Sequence, residues 1–107
     1  MIVSGAENVY PAEVESALHD HPAVQDCAVI GVPDARWGEA VKALVVRAPA
    51  MVVEAAELIA FARGRIAGYK VPKSIDFVDT LPRNPSGKIL KKELRARYWP
   101  QDGRQVG

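Results

Sequence analysis

Residues 24–48 read VQDCAVIGVPDARWGEAVKALVVRA, and this stretch decides the fold. Two runs rich in Val, Ile, Leu and Ala, VQDCAVIGV at 24–32 and AVKALVVRA at 40–48, flank the segment PDARWGE. Apolar runs of this length on either side of a Pro-, Asp- and Gly-containing segment predict two strands joined as a hairpin with a longer loop. Upstream, PAEVESALHD at 11–20 predicts a helix. Pro11 suits a first turn, Glu13 sits near the positive end, and Val14, Ala17 and Leu18 fall on one face. His21 and Pro22 stop it. Downstream, the spacing of Ala55, Leu58, Ile59, Ala62 and Ile66 predicts a helix from about Val53 to Ala67, with Glu54 and Glu57 at its start, Arg63 and Arg65 near its end and Gly68 as the stop. SIDFV at 74–78 reads as a short strand. The loop TLPRNPSGK follows, then a last helix with Ile89, Leu90, Leu94 and Tyr98 turned inward. The order helix, strand, strand, helix, strand, helix predicts an α+β domain over residues 1–99, a small three-stranded sheet with helices packed on it, and a frayed tail at 100–107.

Composition sets limits on function. Of 107 residues about half are hydrophobic and a quarter charged, the balance of one soluble globular domain. A domain of this size hides roughly two thirds of its unfolded surface, so it builds one modest core, and a site must be a surface. No stretch approaches the roughly 20 apolar residues of a membrane span, and the first residues lack the basic flank and apolar run of a signal peptide, which points to the cytoplasm. Cys27, alone in CAVIGV, offers neither a disulfide framework nor a cysteine metal site and reads as core. His19 and His21, two apart around a helix end, match no metal signature and read as surface residues. The net charge of +1 conceals a gradient: residues 1–35 carry six acidic and no basic side chains, and residues 83–104 carry seven basic and two acidic. A basic end suits an anionic partner, although a solvated basic helix has the same count.

PRNPSGKILKKEL at 82–94 concentrates the chemistry. It presents Lys88 on a loop punctuated by Pro and Gly where a helix is expected to begin, with Ser86 as the N-cap. An ammonium at the positive end of a helix is mildly disfavoured, by roughly 0.3–1 kcal/mol, and an anion there would relieve the conflict. The segment shares only Gly87-Lys88 with a Walker loop: Pro82 stands where the first glycine belongs and Ile89 where Ser or Thr belongs, which excludes a nucleotide-cradling loop. Lys91 and Lys92 read as exposed helix lysines.

Three separated motifs, SGAENVYPAEVE at 4–15, IGVPDARWGEAVKALVV at 30–46 and AGYKVPKSIDFVDTLPRNPSGKILKKEL at 67–94, occur in the order and spacing of the adenylate-forming acyl-CoA synthetases. The chain resembles the mobile C-terminal domain of that family over nearly its whole length. The resemblance implies a ligase that uses ATP and a carboxylic acid to make an acyl-adenylate and pyrophosphate, then displaces AMP with the thiol of CoA, while the small domain rotates on a large N-terminal partner domain. That partner would supply the Mg2+ site and the acyl pocket, and this piece, cut at the hinge, would be inactive alone. Overall similarity suggests a medium- or long-chain fatty acid as substrate. Lys88 matches the lysine that enters the active site during adenylation. Gly5, Glu7 and Asn8 match the loop that lines the pantetheine channel, with Ala6 in place of a second glycine. Trp37, Tyr69 and Lys73, with Arg63 as a weaker candidate, match positions that hold the CoA nucleotide in relatives that bind CoA on this domain: flat rings against adenine, cations against phosphate. Two alternatives stay open at this level, a free-standing CoA- or nucleotide-binding module and the same domain from another adenylating enzyme such as an aryl-CoA ligase or luciferase. A nucleic-acid role has only the basic end in its favour.

Overall fold

The computed structural model describes residues 1–5 and 7–99, so the expected tail and Ala6 lie outside the described residues. The centre is the expected hairpin, β3 (Val24–Asp34) and β4 (Gly38–Arg47), antiparallel from Val24↔Arg47 to Asp34↔Gly38. The strands run further than their apolar cores, leaving a turn of three residues instead of the longer loop expected. Asp34 Oδ1 makes this possible by accepting the Arg36 and Trp37 amides, each at 2.9 Å, and Gly38 closes the turn at φ 82°. A register shift between Val24 and Asp26 marks a bulge at the far end.

The α+β class is as expected, but the sheet has five strands instead of three. β1 (Ile2–Ser4) and β2 (Glu7–Val9) form a short ribbon that meets the start of β4 at Ser4↔Gly38. β5 (Ser74–Phe77) runs parallel to β4 along Lys42–Val45. One edge of β4 is thus shared by the ribbon and β5. Strands of three residues carry too little pattern to register as periodicity, which is why the ribbon is not visible in the sequence.

Alternation along the hairpin buries both faces. Cys27, Val29, Val41, Ala43 and Val45 point to one layer, with Val14 and Leu18 of α1 (Pro11–His19) and Leu58 and Ala62 of α2 (Ala55–Arg63). Ala28, Ile30 and Leu44 point to the other, where Leu81 and Leu94 of α3 (Lys91–Ala96) cover them. Helix α2 ends earlier than expected: Gly64 takes the C-cap, and Ile66 packs partly buried from beyond the helix. His21, expected at the surface, is half-buried. Its side chain is 12 % exposed, packs edge-on against Phe61 and reaches Glu57 at 3.0 Å.

The outer edge of β3 would be an open template for another strand, and side chains close it. Glu15 of α1 accepts the Val29 amide at 2.8 Å and pairs with Lys91 at 2.7 Å, wrapping the edge from one face to the other. The Trp99 indole donates to the Gly31 carbonyl at 3.0 Å. Tyr98 donates to Asp76 of β5 at 2.6 Å, and Lys42 pairs with the same carboxylate at 3.0 Å, which fastens the end of the described chain to the sheet.

Cys27 is core, as expected, and its Sγ donates to the Glu15 carbonyl at 3.7 Å. Burial first, then the charges of Glu15 and Asp26, push its thiol up to about 12. On the order of one thiol in ten thousand is then ionised at pH 8, and only the thiolate reacts. The folded chain should therefore resist a thiol-specific disulfide reagent at pH 8 and be labelled stoichiometrically in denaturant; rapid labelling of the folded chain would contradict this burial.

Candidate functional site

Five of the residues singled out in the sequence line one groove. Ser4, Gly5 and Glu7 of the ribbon, Trp37 of the hairpin turn, Tyr69 of a 3-10 turn (Gly68–Lys70) and Lys73 line a hollow of about 290 Å³. That lies just below the roughly 300–1,000 Å³ typical of small-molecule sites, enough for one flat ring and a charged group. Trp37 and Tyr69 are 40 % and 41 % exposed, so aromatic surface faces solvent here.

Local chemistry fixes each wall. The Gly5 amide donates to the Trp37 carbonyl at 2.8 Å, and Gly5 has φ 62°, a conformation that favours glycine. A Cβ there would sit 2.9 Å from Trp37 Cε3, so the residue must also be bare to let the ribbon lie against the indole. Arg36 places its guanidinium 4.8 Å from the indole centroid. Lys70 pairs with Glu13 of α1 at 2.9 and 3.0 Å, which holds the 3-10 turn against the helix, and the hydrogen bond to Glu13 raises the Lys70 pKa. Lys73 donates its amide to the Val41 carbonyl at 2.8 Å, while among the described residues its ammonium makes no ion pair. The groove can stack a planar group and neutralise an anion beside it.

Lys88 lies elsewhere, on a tight turn. Asn84 Oδ1 accepts the Ser86 amide at 3.0 Å, the Ser86 hydroxyl at 2.7 Å and the Lys88 amide at 3.0 Å. The backbone closes the same loop through Asn84 N–H to the Lys88 carbonyl and Gly87 N–H to the Asn84 carbonyl, both at 2.9 Å, with Gly87 at φ 90°. Arg83 donates to the Gly87 carbonyl at 2.7 Å and pairs with Asp26 on β3. Lys88 is exposed, and among the described residues its ammonium has no ion-pair partner.

This corrects the expected setting of Lys88. Helix α3 starts at Lys91 with Leu90 as N-cap and no side-chain cap, so Ser86 is not the cap and Lys88 is not at a helix N-terminus. The reason is competition: the Ser86 hydroxyl is spent on Asn84, whose carbonyl oxygen collects the free amides first. Arg63 is exposed in the last turn of α2 and Asn8 is exposed opposite Val3 in the ribbon; neither lines the groove. Sequence reasoning passed over Ser4, Asn84, Arg83 and Asp26. Asn84-Pro85 followed by Ser and Gly was a legible turn signal, whereas the reach of Arg83 to Asp26, 57 residues away, was not.

The two surfaces stand at opposite ends of the hairpin. Asp26, which tethers the Lys88 turn, and Asp34, which shapes the Trp37 turn, are eight residues apart along β3. At about 3.3 Å per residue that is roughly 26 Å. Among the described residues no cluster of three or more His, Cys, Asp or Glu could hold a metal, and no helix is long and apolar enough to cross a membrane.

Fold and site define a small three-layer α+β domain with two exposed, cation-bearing surfaces. The sequence profile of the AMP-binding enzyme C-terminal domain matches residues 13–88, and the chain belongs to that family. It is 59 % identical over 98 residues to a feruloyl-CoA synthase of an Amycolatopsis species, covering 92 % of this chain and 20 % of that protein. It is 49 % identical, with 92 % and 19 % covered, to a long-chain-fatty-acid–CoA ligase of Mycobacterium tuberculosis strain H37Rv. Among solved structures, a Mycobacterium tuberculosis fatty acyl CoA synthetase superposes with TM-score 0.85 at 49 % identity, covering 92 % of this chain and 19 % of that one. The o-succinylbenzoate CoA synthetase of Bacillus subtilis, solved with its acyl-adenylate intermediate, gives 0.82 at 45 % identity, with 88 % and 19 % covered. The chain thus spans about a fifth of the length of the relatives it matches.

Proposed function

We propose that this chain works as the small domain of an ATP-dependent acid–thiol ligase, presenting Lys88 for adenylation and the Trp37–Tyr69–Lys73 groove for CoA. The observation that carries the reading is the separation of the two surfaces. The Lys88 turn is tethered to Asp26 and the Trp37 turn to Asp34, residues roughly 26 Å apart along β3. Two surfaces anchored at opposite ends of one hairpin do not both face one reaction centre in a single orientation, whereas a two-step ligase that swings its small domain needs one face per step. In the first step a carboxylate oxygen attacks the α-phosphorus of ATP, the bond to the leaving pyrophosphate breaks, and charge gathers on the non-bridging oxygens. Lys88 supplies positive charge there. In the second, the CoA sulfur attacks the acyl carbonyl and AMP leaves; the groove residues hold the nucleotide end of CoA, with Gly5 and Glu7 beside the thiol-bearing arm.

A larger N-terminal domain supplies the ATP phosphates' binding site, Mg2+ and the acyl pocket, and the whole works in the cytoplasm. The acid is chosen there, which agrees with relatives at 59 % and 49 % identity being named for feruloyl and for long-chain fatty acids respectively. A medium- or long-chain fatty acid remains the preferred substrate, with an aryl acid as the alternative.

The direct test is titration of the 107-residue chain with CoA and with dephospho-CoA, read by tryptophan fluorescence and by amide shifts. CoA is expected to shift Trp37, Tyr69 and Lys73, with weaker binding when the 3′-phosphate is missing. A Trp37→Phe control separates Trp37 from Trp99. Binding that leaves these residues unmoved would remove the CoA role of the groove. Pyrophosphate exchange by the 107-residue chain alone, at enzyme-like rates, would overturn the assignment of the chemistry to two domains.

A further inference from the structure

We propose that Asn84 and Arg83 are positioning residues for Lys88, which together lock the turn that aims its ammonium; this rests on the adenylation role proposed for Lys88. Asn84 Oδ1 is the hub. It gathers the amides of Ser86 and Lys88 and the hydroxyl of Ser86, three donors at 2.7–3.0 Å, so the Cα of Lys88 is fixed relative to that of Asn84 from both ends of the loop. The backbone pair between Asn84 and Lys88 and the bridge between Arg83 and Ile89 repeat the constraint.

Arg83 connects this closed loop to the sheet. One guanidinium nitrogen holds the Gly87 carbonyl, immediately before Lys88, and another pairs with Asp26. Asp26 is itself fixed, because its Oδ1 accepts the Cys27 amide at 3.0 Å beside the bulge in β3. A chain of contacts therefore runs from strand β3 to the residue that precedes Lys88. Lys88 has a long flexible side chain, and its exposed ammonium has no ion-pair partner among the described residues. All of its aim comes from its backbone. A displacement of about 1 Å in a group that stabilises a transition state can cost up to a hundredfold in rate, so loosening the turn should act on rate and not on substrate binding.

The test uses the full-length enzyme that carries this chain, with adenylation followed by pyrophosphate exchange and thioester formation started from supplied acyl-adenylate. Asn84→Ala is expected to lower the adenylation kcat by about tenfold to a hundredfold with the KM for ATP little changed. Thioester formation should be spared. Asn84→Asp, which keeps the acceptor oxygen, should restore most of the loss. Arg83→Met, which releases Gly87 while leaving Asn84 in place, should show the same pattern more weakly and serves if Asn84→Ala folds poorly. The decisive arm is the double variant: on a Lys88→Ala background, Asn84→Ala should cost nothing further, because there is no longer a side chain to aim. A loss that persists on that background, equal loss of both half-reactions, or full activity in Asn84→Ala and Arg83→Met would each overturn the positioning role. Normal adenylation by Lys88→Ala alone would overturn instead the role of Lys88 on which it rests.

Discussion

Lys88→Ala in the full-length enzyme is expected to lower the adenylation kcat by about 10²–10³-fold, the cost of removing one preorganised electrostatic donor from a water-excluded reaction centre. The argument is one of timing. The carboxylate and the ATP phosphates are anionic before they react, and charge concentrates on the non-bridging oxygens as the bond to pyrophosphate breaks, so an ammonium delivered to that point acts mainly on the transition state. The KM values should therefore move much less than kcat. Thioester formation from supplied acyl-adenylate has no such phosphoryl transition state and should run at nearly the normal rate. Lys88→Arg keeps the charge but offers a planar fork in place of a point donor, and should recover only part of the rate. Pyrophosphate exchange and single-turnover thioester formation measure the two steps separately, and a comparable loss in both would rule out the proposed role.

The second large effect is on stability. Leu94 is fully buried and is the buried residue of α3, a helix of six residues with no side-chain cap. A helix so short has little stability of its own and stays folded through tertiary contact. Leu94→Ala removes that contact from the layer that also holds Ile30, Leu44 and Leu81, and is expected to cost about 2–5 kcal/mol. With the midpoint of a domain of this size falling about 4–8 °C per kcal/mol, a thermal melt of the 107-residue chain should shift down by roughly 10 °C or more. Because Ile89 packs on the same cluster, the turn that carries Lys88 should loosen with it. A midpoint unchanged within a few degrees would show that the C-terminal segment is held by the Tyr98–Asp76 and Trp99–Gly31 contacts instead.

Much of the fold was legible because the large elements are built on repeats that a linear reading can detect. Pro11 and the Val14–Ala17–Leu18 spacing marked α1, the apolar runs marked β3 and β4, and Leu58 and Ala62 marked the buried face of α2. The errors fall where two local groups compete for the same partner. Ser86 is a good helix cap in isolation, but Asn84 two residues earlier holds its hydroxyl and its amide, and the helix begins five residues after Ser86. His21 looked exposed because nothing in its neighbourhood announces Phe61 or Glu57, which α2 brings to it.

The candidate site divides in the same way. Gly5, Glu7, Trp37, Tyr69 and Lys73 were singled out through a family resemblance, since residues 5, 37 and 69 share no period and no short motif. By itself the sequence determined the α+β class, the hairpin, the helices on its faces, the buried thiol and the lysine on a Pro- and Gly-bounded loop, because each follows from chain-local propensity and patterning. Tertiary structure alone decided that the ribbon lies bare-backed on Trp37, that Arg83 carries the Lys88 turn to Asp26, that Arg63 and Asn8 stay outside the groove, and that groove and lysine occupy opposite ends of one hairpin. These depend on which distant segments share an edge of β4 or a face of the sheet, and that is set by the packing of the whole core.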